Sequence, residues 1–200
     1  MKNSLYIISI AFILYSCSNT KKENVPSTNN TATANAPTDT AGNFFPVTTY
    51  LKGEIFVIKN GEITPLRKIT VGTNVDSSWI KMEELEMIFS DFLVPIIDTT
   101  NLKNLFSEKR FLDQTIDAFT FTYEPINEKG LTYPFTHWDV YVDPETQKVK
   151  RVYLVKKEGP NKELQLTWVS GKSCKVVTLI TKDGKTTIVK EEKTIWRFDD

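Results

Sequence analysis

The chain has 200 residues, 40% hydrophobic and 25% charged, and its cations and anions balance to no net charge. That composition suffices for one domain with a real core. With no basic excess it argues against nucleic acid as a partner. The balance hides a split: residues 44–145 carry nine Lys and Arg against sixteen Asp and Glu, while residues 146–200 carry thirteen against seven. Either the two parts present a bipolar binding surface, or they pack together and neutralise each other, which is the plainer expectation.

Residues 1–16 read as an export segment. Lys2 supplies a positive start, and Leu5 to Tyr15 is an apolar run broken only by Ser9. As a helix this run is about 17 Å long at ~1.5 Å per residue, short of the ~30 Å needed to span a bilayer core, so it fits a cleaved signal. The end of the run, Leu14-Tyr15-Ser16-Cys17, resembles the lipobox of bacterial lipoprotein precursors, with Tyr15 where a small residue is usual. The resemblance implies cleavage before Cys17, a diacylglyceryl thioether on its sulfur and an acylated amine, hence a membrane-lipid partner. Two or three acyl chains anchor far more firmly than one. Ser18 and Asn19 resemble the outer-membrane sorting pattern, which implies an exported protein held at the outer membrane of a Gram-negative bacterium.

Residues 17–43 form the lipidated cysteine and a tether. Thr, Asn, Ala, Ser and Pro dominate, and Val25 is the only large aliphatic residue. Such a stretch buries too little apolar surface to offset the entropy of ordering it. A single globular domain then occupies residues 44–200. Pro46 to Asn60 is expected to be a helix, with Val47, Tyr50, Leu51, Ile55, Val57 and Ile58 on one face and Gly61 as its stop. Pro65 to Val71 is a short extended segment. A second helix starts at Ser77 or Ser78 as N-cap, carries a stripe of Met82, Leu85, Ile88, Phe89, Phe92 and Leu93, and ends at Pro95.

Beyond Leu105 the period changes to two. Strands are expected over 114–124, over Trp138 to Val142, and over 148–157, 162–169, 173–181 and 186–197. Asp143-Pro144-Glu145-Thr146, Ser170-Gly171-Lys172 and Asp183-Gly184 supply turn chemistry. The fold class is therefore α+β: two N-terminal helices packed on an antiparallel meander of about six strands, one face covered and the other partly open. The hairpin HWDVYVDPETQKVKRVYLV (137–155) resembles the strand-turn-strand of PepSY-type periplasmic domains, with Gln147 where that pattern has Gly. The resemblance implies an extracytoplasmic binding or inhibitory module.

Chemistry is sparse. His137 is the only histidine, which rules out a multi-histidine zinc site in one chain. His137 and Asp139 share a strand face, where the carboxylate can orient the ring for base catalysis, and Cys174 is a conceivable nucleophile. Cys174 alternates with Val176, Thr178 and Ile180, however, and reads as a small buried hydrophobe. Asp143 and Glu145 lack the further oxygens a calcium site needs. Glu83, Glu84 and Glu86 fit a solvated helix face. No phosphate loop, dinucleotide fingerprint or serine elbow occurs, so no cofactor is expected. Among Trp79, Trp138, Trp168 and Trp196, the strand tryptophans 138 and 168 read as core and Trp196 as the exposed binding candidate.

The expectation is a non-catalytic, lipid-anchored envelope module that binds an envelope protein, a peptide or a small apolar ligand, with Trp196, His137 and Asp139 as candidate binding residues. A hydrolase using His137 and Asp139, with or without Cys174, and a structural envelope lipoprotein are the alternatives.

Overall fold

The computed structural model describes residues 44–97 and 102–198. The export segment, Cys17 and the tether to residue 43 lie outside the described residues. Helix α1 runs Val47–Asn60 behind Pro46. Val47, Leu51, Ile55 and Ile58, three or four residues apart, are its buried stripe, which is the spacing of one helix face. Val57, expected on that face, is 62% exposed beside Phe56 at 65%. It sits about 100° round the helix from Ile58, outside a stripe narrower than expected. Gly61 follows the helix at φ −79° and Glu62 takes the left-handed turn at φ 52°. Space is tight at Gly61 instead: a Cβ there would crowd the Val57 carbonyl oxygen at 3.1 Å.

Strands β1 (Leu66–Val71) and β2 (Asn74–Trp79) form a hairpin through Gly72 at φ 60°. Ser77 and Ser78 therefore lie in a strand and cap no helix. All six β2 residues are exposed, so no burial alternation marked the strand in the sequence. The helical turns start later, at Met82–Glu84, and continue as α2 (Leu85–Ile88) and α3 (Ser90–Leu93), broken at Phe89. The expected second helix is thus a chain of short turns, yet its stripe keeps its role, with Leu85, Phe89 and Phe92 fully buried.

Seven strands then follow as a meander: β3 (Phe106–Asp113), β4 (Ala118–Pro125), β5 (Phe135–Val142), β6 (Val149–Lys157), β7 (Lys162–Val169), β8 (Ser173–Lys182) and β9 (Lys185–Ile195). The strand order is β2-β1-β9-β8-β7-β6-β5-β4-β3, with every pairing antiparallel. The class is α+β as read from the sequence, but among the described residues the sheet has nine strands rather than six and carries one clear helix rather than two. The six expected strands are β4 to β9. The Asp183-Gly184 hairpin has φ 52° and 74°, the two positive values its tight turn requires.

One face of the sheet packs on α1 and the short turns. Tyr123, Trp138, Leu154, Leu166 and Val176 lie abreast across β4 to β8 on that face and belong to one apolar cluster with Leu51, Leu85, Phe89 and Phe92. The other face is open. The acidic and basic parts of the chain meet at points such as Lys156 with Asp91, 2.9 Å apart. No helix among the described residues is long and apolar enough to cross a membrane.

Candidate functional site

The open face is aimed by β5. Alternation alone would put Phe135 and Trp138, three residues apart, on opposite faces, yet both are fully buried. A register break between Phe135 and His137 absorbs the extra residue, as a bulge does. His137, Asp139 and Tyr141 consequently point away from the core in one row. The sequence paired His137 with Asp139, and the structure brings them together: His137 Nε2 lies 3.0 Å from Asp139 Oδ2.

Asp139 is held from three sides. The Thr122 hydroxyl on β4 donates to its Oδ1 at 2.6 Å and the Tyr141 hydroxyl to its Oδ2 at 3.2 Å. Thr122 stands directly across from Asp139 in the β4·β5 register. Burial of Asp139 pushes its pKa up, but hydrogen bonds from His137 and Thr122 and the charge of His137 outweigh that and hold it below the ordinary carboxylate value. The hydrogen bond to Asp139 in turn raises His137, against partial burial, with Glu124 adding its charge. Arg151 sits 4.2 Å over the Tyr141 ring, a cation–π contact that fixes the phenol. Thr122 and Arg151 had no local signal as partners, because their meeting with Asp139 and Tyr141 depends on the pairing of β5 with β4 and β6, whereas Tyr141 follows from alternation along β5 itself.

Beside this pair opens a cleft of about 660 Å³. His137, Thr136 and Glu124 form one wall, Leu131 and Tyr133 of the β4–β5 connection another, and Lys157 and Glu163 a third. The walls are rich in carboxylates, with one ammonium and an imidazole whose pKa the hydrogen bond to Asp139 raises. That arrangement suits a polar ligand better than a small apolar one. A second concavity of about 560 Å³ runs between α1 and α3, where Phe56, Leu93, Val94 and Ile96 give it an apolar lining with Lys52 and Lys59 at hand.

One expected site residue, Trp196, falls elsewhere, and Cys174, weighed as a conceivable nucleophile, is buried as its alternation implied. Trp196, the expected exposed aromatic, is only 5% exposed. It lies against Trp168 at 4.8 Å and Phe89 at 5.9 Å, because alternation sets it with Thr194 on the covered face, under the short helical turns. The exposed tryptophan is Trp79, at 62%, edge-on to Phe198. Cys174 is also on the covered face, and burial pushes its thiol up to about 12. It stands on β8, three strands from β5, more than roughly 14 Å away at ~4.8 Å per strand and through the sheet. A Cys174–His137 catalytic pair is therefore excluded by geometry.

The acidic positions named from the sequence serve local structure. Asp143 accepts from the Thr146 backbone at 2.8 Å within its turn, and Glu86 meets Lys59 at 2.6 Å. Among the described residues no group of three or more His, Cys, Asp or Glu side chains is placed to hold a metal ion. Compared with family models, curated proteins and solved structures, the chain has no significant match in any of the three.

Proposed function

We propose that this chain is a lipid-anchored envelope protein whose folded domain is a non-catalytic binding module, with the cleft beside His137 as its ligand site. The observation that carries the reading is the cleft itself: a recess of about 660 Å³ with carboxylate, ammonium and imidazole walls, backed by a carboxylate whose oxygens already hold Thr122, His137 and Tyr141. A site built this way fixes the orientation of a polar ligand or peptide. The free thiol, the strongest nucleophile in the described residues, lies on the other face. The PepSY-like hairpin at 137–155 agrees with a binding role. For the anchor, the support is the Leu14-Tyr15-Ser16-Cys17 segment. Cys17→Ser should abolish incorporation of a fatty-acid analogue in cells, and equal labelling of both forms would sink the anchor.

A second reading has one observation in its favour. His137 is oriented by Asp139 at the cleft wall, as a general base would be, so hydrolysis of a bound polar substrate is the rival. One experiment separates them. The full chain is screened by thermal shift against envelope-derived peptides and polar solutes, since a ligand of the folded state raises Tm. The expected result is a ligand whose effect disappears in Thr136→Trp, which fills the cleft, and which is recovered chemically unchanged. Recovery of a cleaved ligand from wild type but not from His137→Ala would replace the binding reading with the hydrolase.

A further inference from the structure

Among the described residues the sheet ends in two edge strands, β2 and β3, each paired on one side. Their chemistry differs. β3 carries Glu108, Lys109, Arg110 and Asp113 in eight residues, the charge that keeps an open edge from recruiting another strand. β2 has Asp76 as its one charge in six residues, with neither proline nor lysine, and runs along β1 without a register break.

The hydrogen-bond phase of β2 shows what its free side offers. Ile80 N donates to Pro65 O at 2.8 Å, and bonding to one neighbour alternates along an antiparallel strand. Asn74, Asp76 and Ser78 therefore bond to β1, and Val75, Ser77 and Trp79 turn their backbone groups outward. In keeping with that phase, the Ser77 N–H meets the carboxylate of its own neighbour Asp76, at 2.9 Å. Val75 is 59% and Trp79 62% exposed.

We propose that β2 is a docking edge for a second copy of this chain, the two β2 strands pairing antiparallel about a two-fold axis at Ser77. Three registers set at least two outward residues opposite outward residues of the second copy. An axis at Asp76 sets the two Asp76 carboxylates directly opposite, and like charges there oppose pairing. An axis at Ser78 shortens the overlap and sets Asp76 against Ile80 of the second copy. The axis at Ser77 uses all three outward residues, faces Ser77 with Ser77 and Val75 with Trp79, and moves each Asp76 opposite a Ser78. Aromatic against β-branched is a favourable cross-strand pair. The strand is thus complementary to itself in one register. Five residues a side make a contact well below the ~800 Å² per partner of a standard interface, so the dimer is weak in solution. Confinement by an anchor at Cys17 would raise its effective concentration, although the edge chemistry itself does not depend on that anchor.

Disulfide trapping in the purified full chain tests the register. Opposed residues of a hydrogen-bonded pair are ~5.5 Å apart at Cα, within disulfide reach, so Ser77→Cys should link two copies about ten-fold faster than Lys185→Cys at the β8–β9 turn. Val75→Cys and Trp79→Cys should each link poorly alone and readily when mixed. Adding Ser77→Lys to that mixture, which opposes two ammonium groups, should suppress the link. Peptide mapping locates each bond. Equal rates for Ser77→Cys and Lys185→Cys would overturn the proposal, and so would Val75→Cys linking to itself as fast as Ser77→Cys.

Discussion

The two faces of the sheet are made from the same strands and behave as different materials. On the covered face Trp138, Trp168, Cys174 and Trp196 are packed dry, and residue types that often act at sites are inert fillers. On the open face, one residue away along the same strands, His137, Asp139, Tyr141 and Arg151 form a polar network beside a cleft. A thiol and an imidazole in one chain are therefore no evidence of a catalytic pair until the face of each is known. Period-two alternation, and the bulge between Phe135 and His137 that interrupts it in β5, decide which side chains can do chemistry.

The largest effects should come from opening the covered face. Phe89 is fully buried, between Trp168 at 5.2 Å and Trp196 at 5.9 Å, so Phe89→Ala should cost about 3–5 kcal/mol in urea unfolding. Trp196→Ala should fall in the same range of ~3–5 kcal/mol, whereas Trp79→Ala, on the exposed edge, should stay near ~0.5 kcal/mol. Equal losses for the two tryptophans would mean that the faces do not differ as described. A smaller effect is expected at Cys174. Cys174→Ala should cost roughly 1 kcal/mol, about one buried group of methylene size. The native thiol should react slowly with a maleimide and quickly once unfolded, since burial keeps it protonated. Fast labelling of native protein would place Cys174 on the wrong face.

How much of this was legible in the sequence depended on burial. β4 to β8 were readable because one side of each strand is buried, so apolar and polar residues alternate, while β9, buried only at Thr194, followed from the Asp183-Gly184 turn before it. β2 was not, because nothing in Asn74–Trp79 is buried and its strand state comes from pairing with β1. Ser77 and Ser78, polar residues ahead of an apolar stripe, imitated a helix cap for that reason. The short turns at 82–93 kept the helical spacing while losing helical continuity at Phe89. At the site, His137 with Asp139 followed from spacing two apart, while Thr122 required the β4·β5 register. Trp196 was misplaced because its cover, the Leu85 to Phe92 turns, lies about a hundred residues earlier in the chain.

The smallest expected effect belongs to the open face, and it should move with pH. His137 is raised above its ordinary value of 6.5 by the hydrogen bond to Asp139. A group whose pKa rises on folding stabilises the native state fully below its unfolded value and loses that contribution as pH rises through the folded one. Asp139 is shifted the opposite way, below 3.8, so its contribution is present above that value and lost as pH falls. The pair is therefore most stabilising between the two, with Asp139 ionised and His137 protonated. The urea midpoint of wild type, measured against His137→Gln, should decline from pH 6 to pH 8.5, and Asp139→Asn should remove the same slope because it removes the acceptor that raises the ring. Cys174→Ala should leave that slope untouched, since its thiol lies across the sheet and is common to wild type and His137→Gln alike. A midpoint difference that stays flat between pH 6 and 8.5 would mean that His137 is not held by Asp139 in solution, and the network behind the cleft would lose its organising contact.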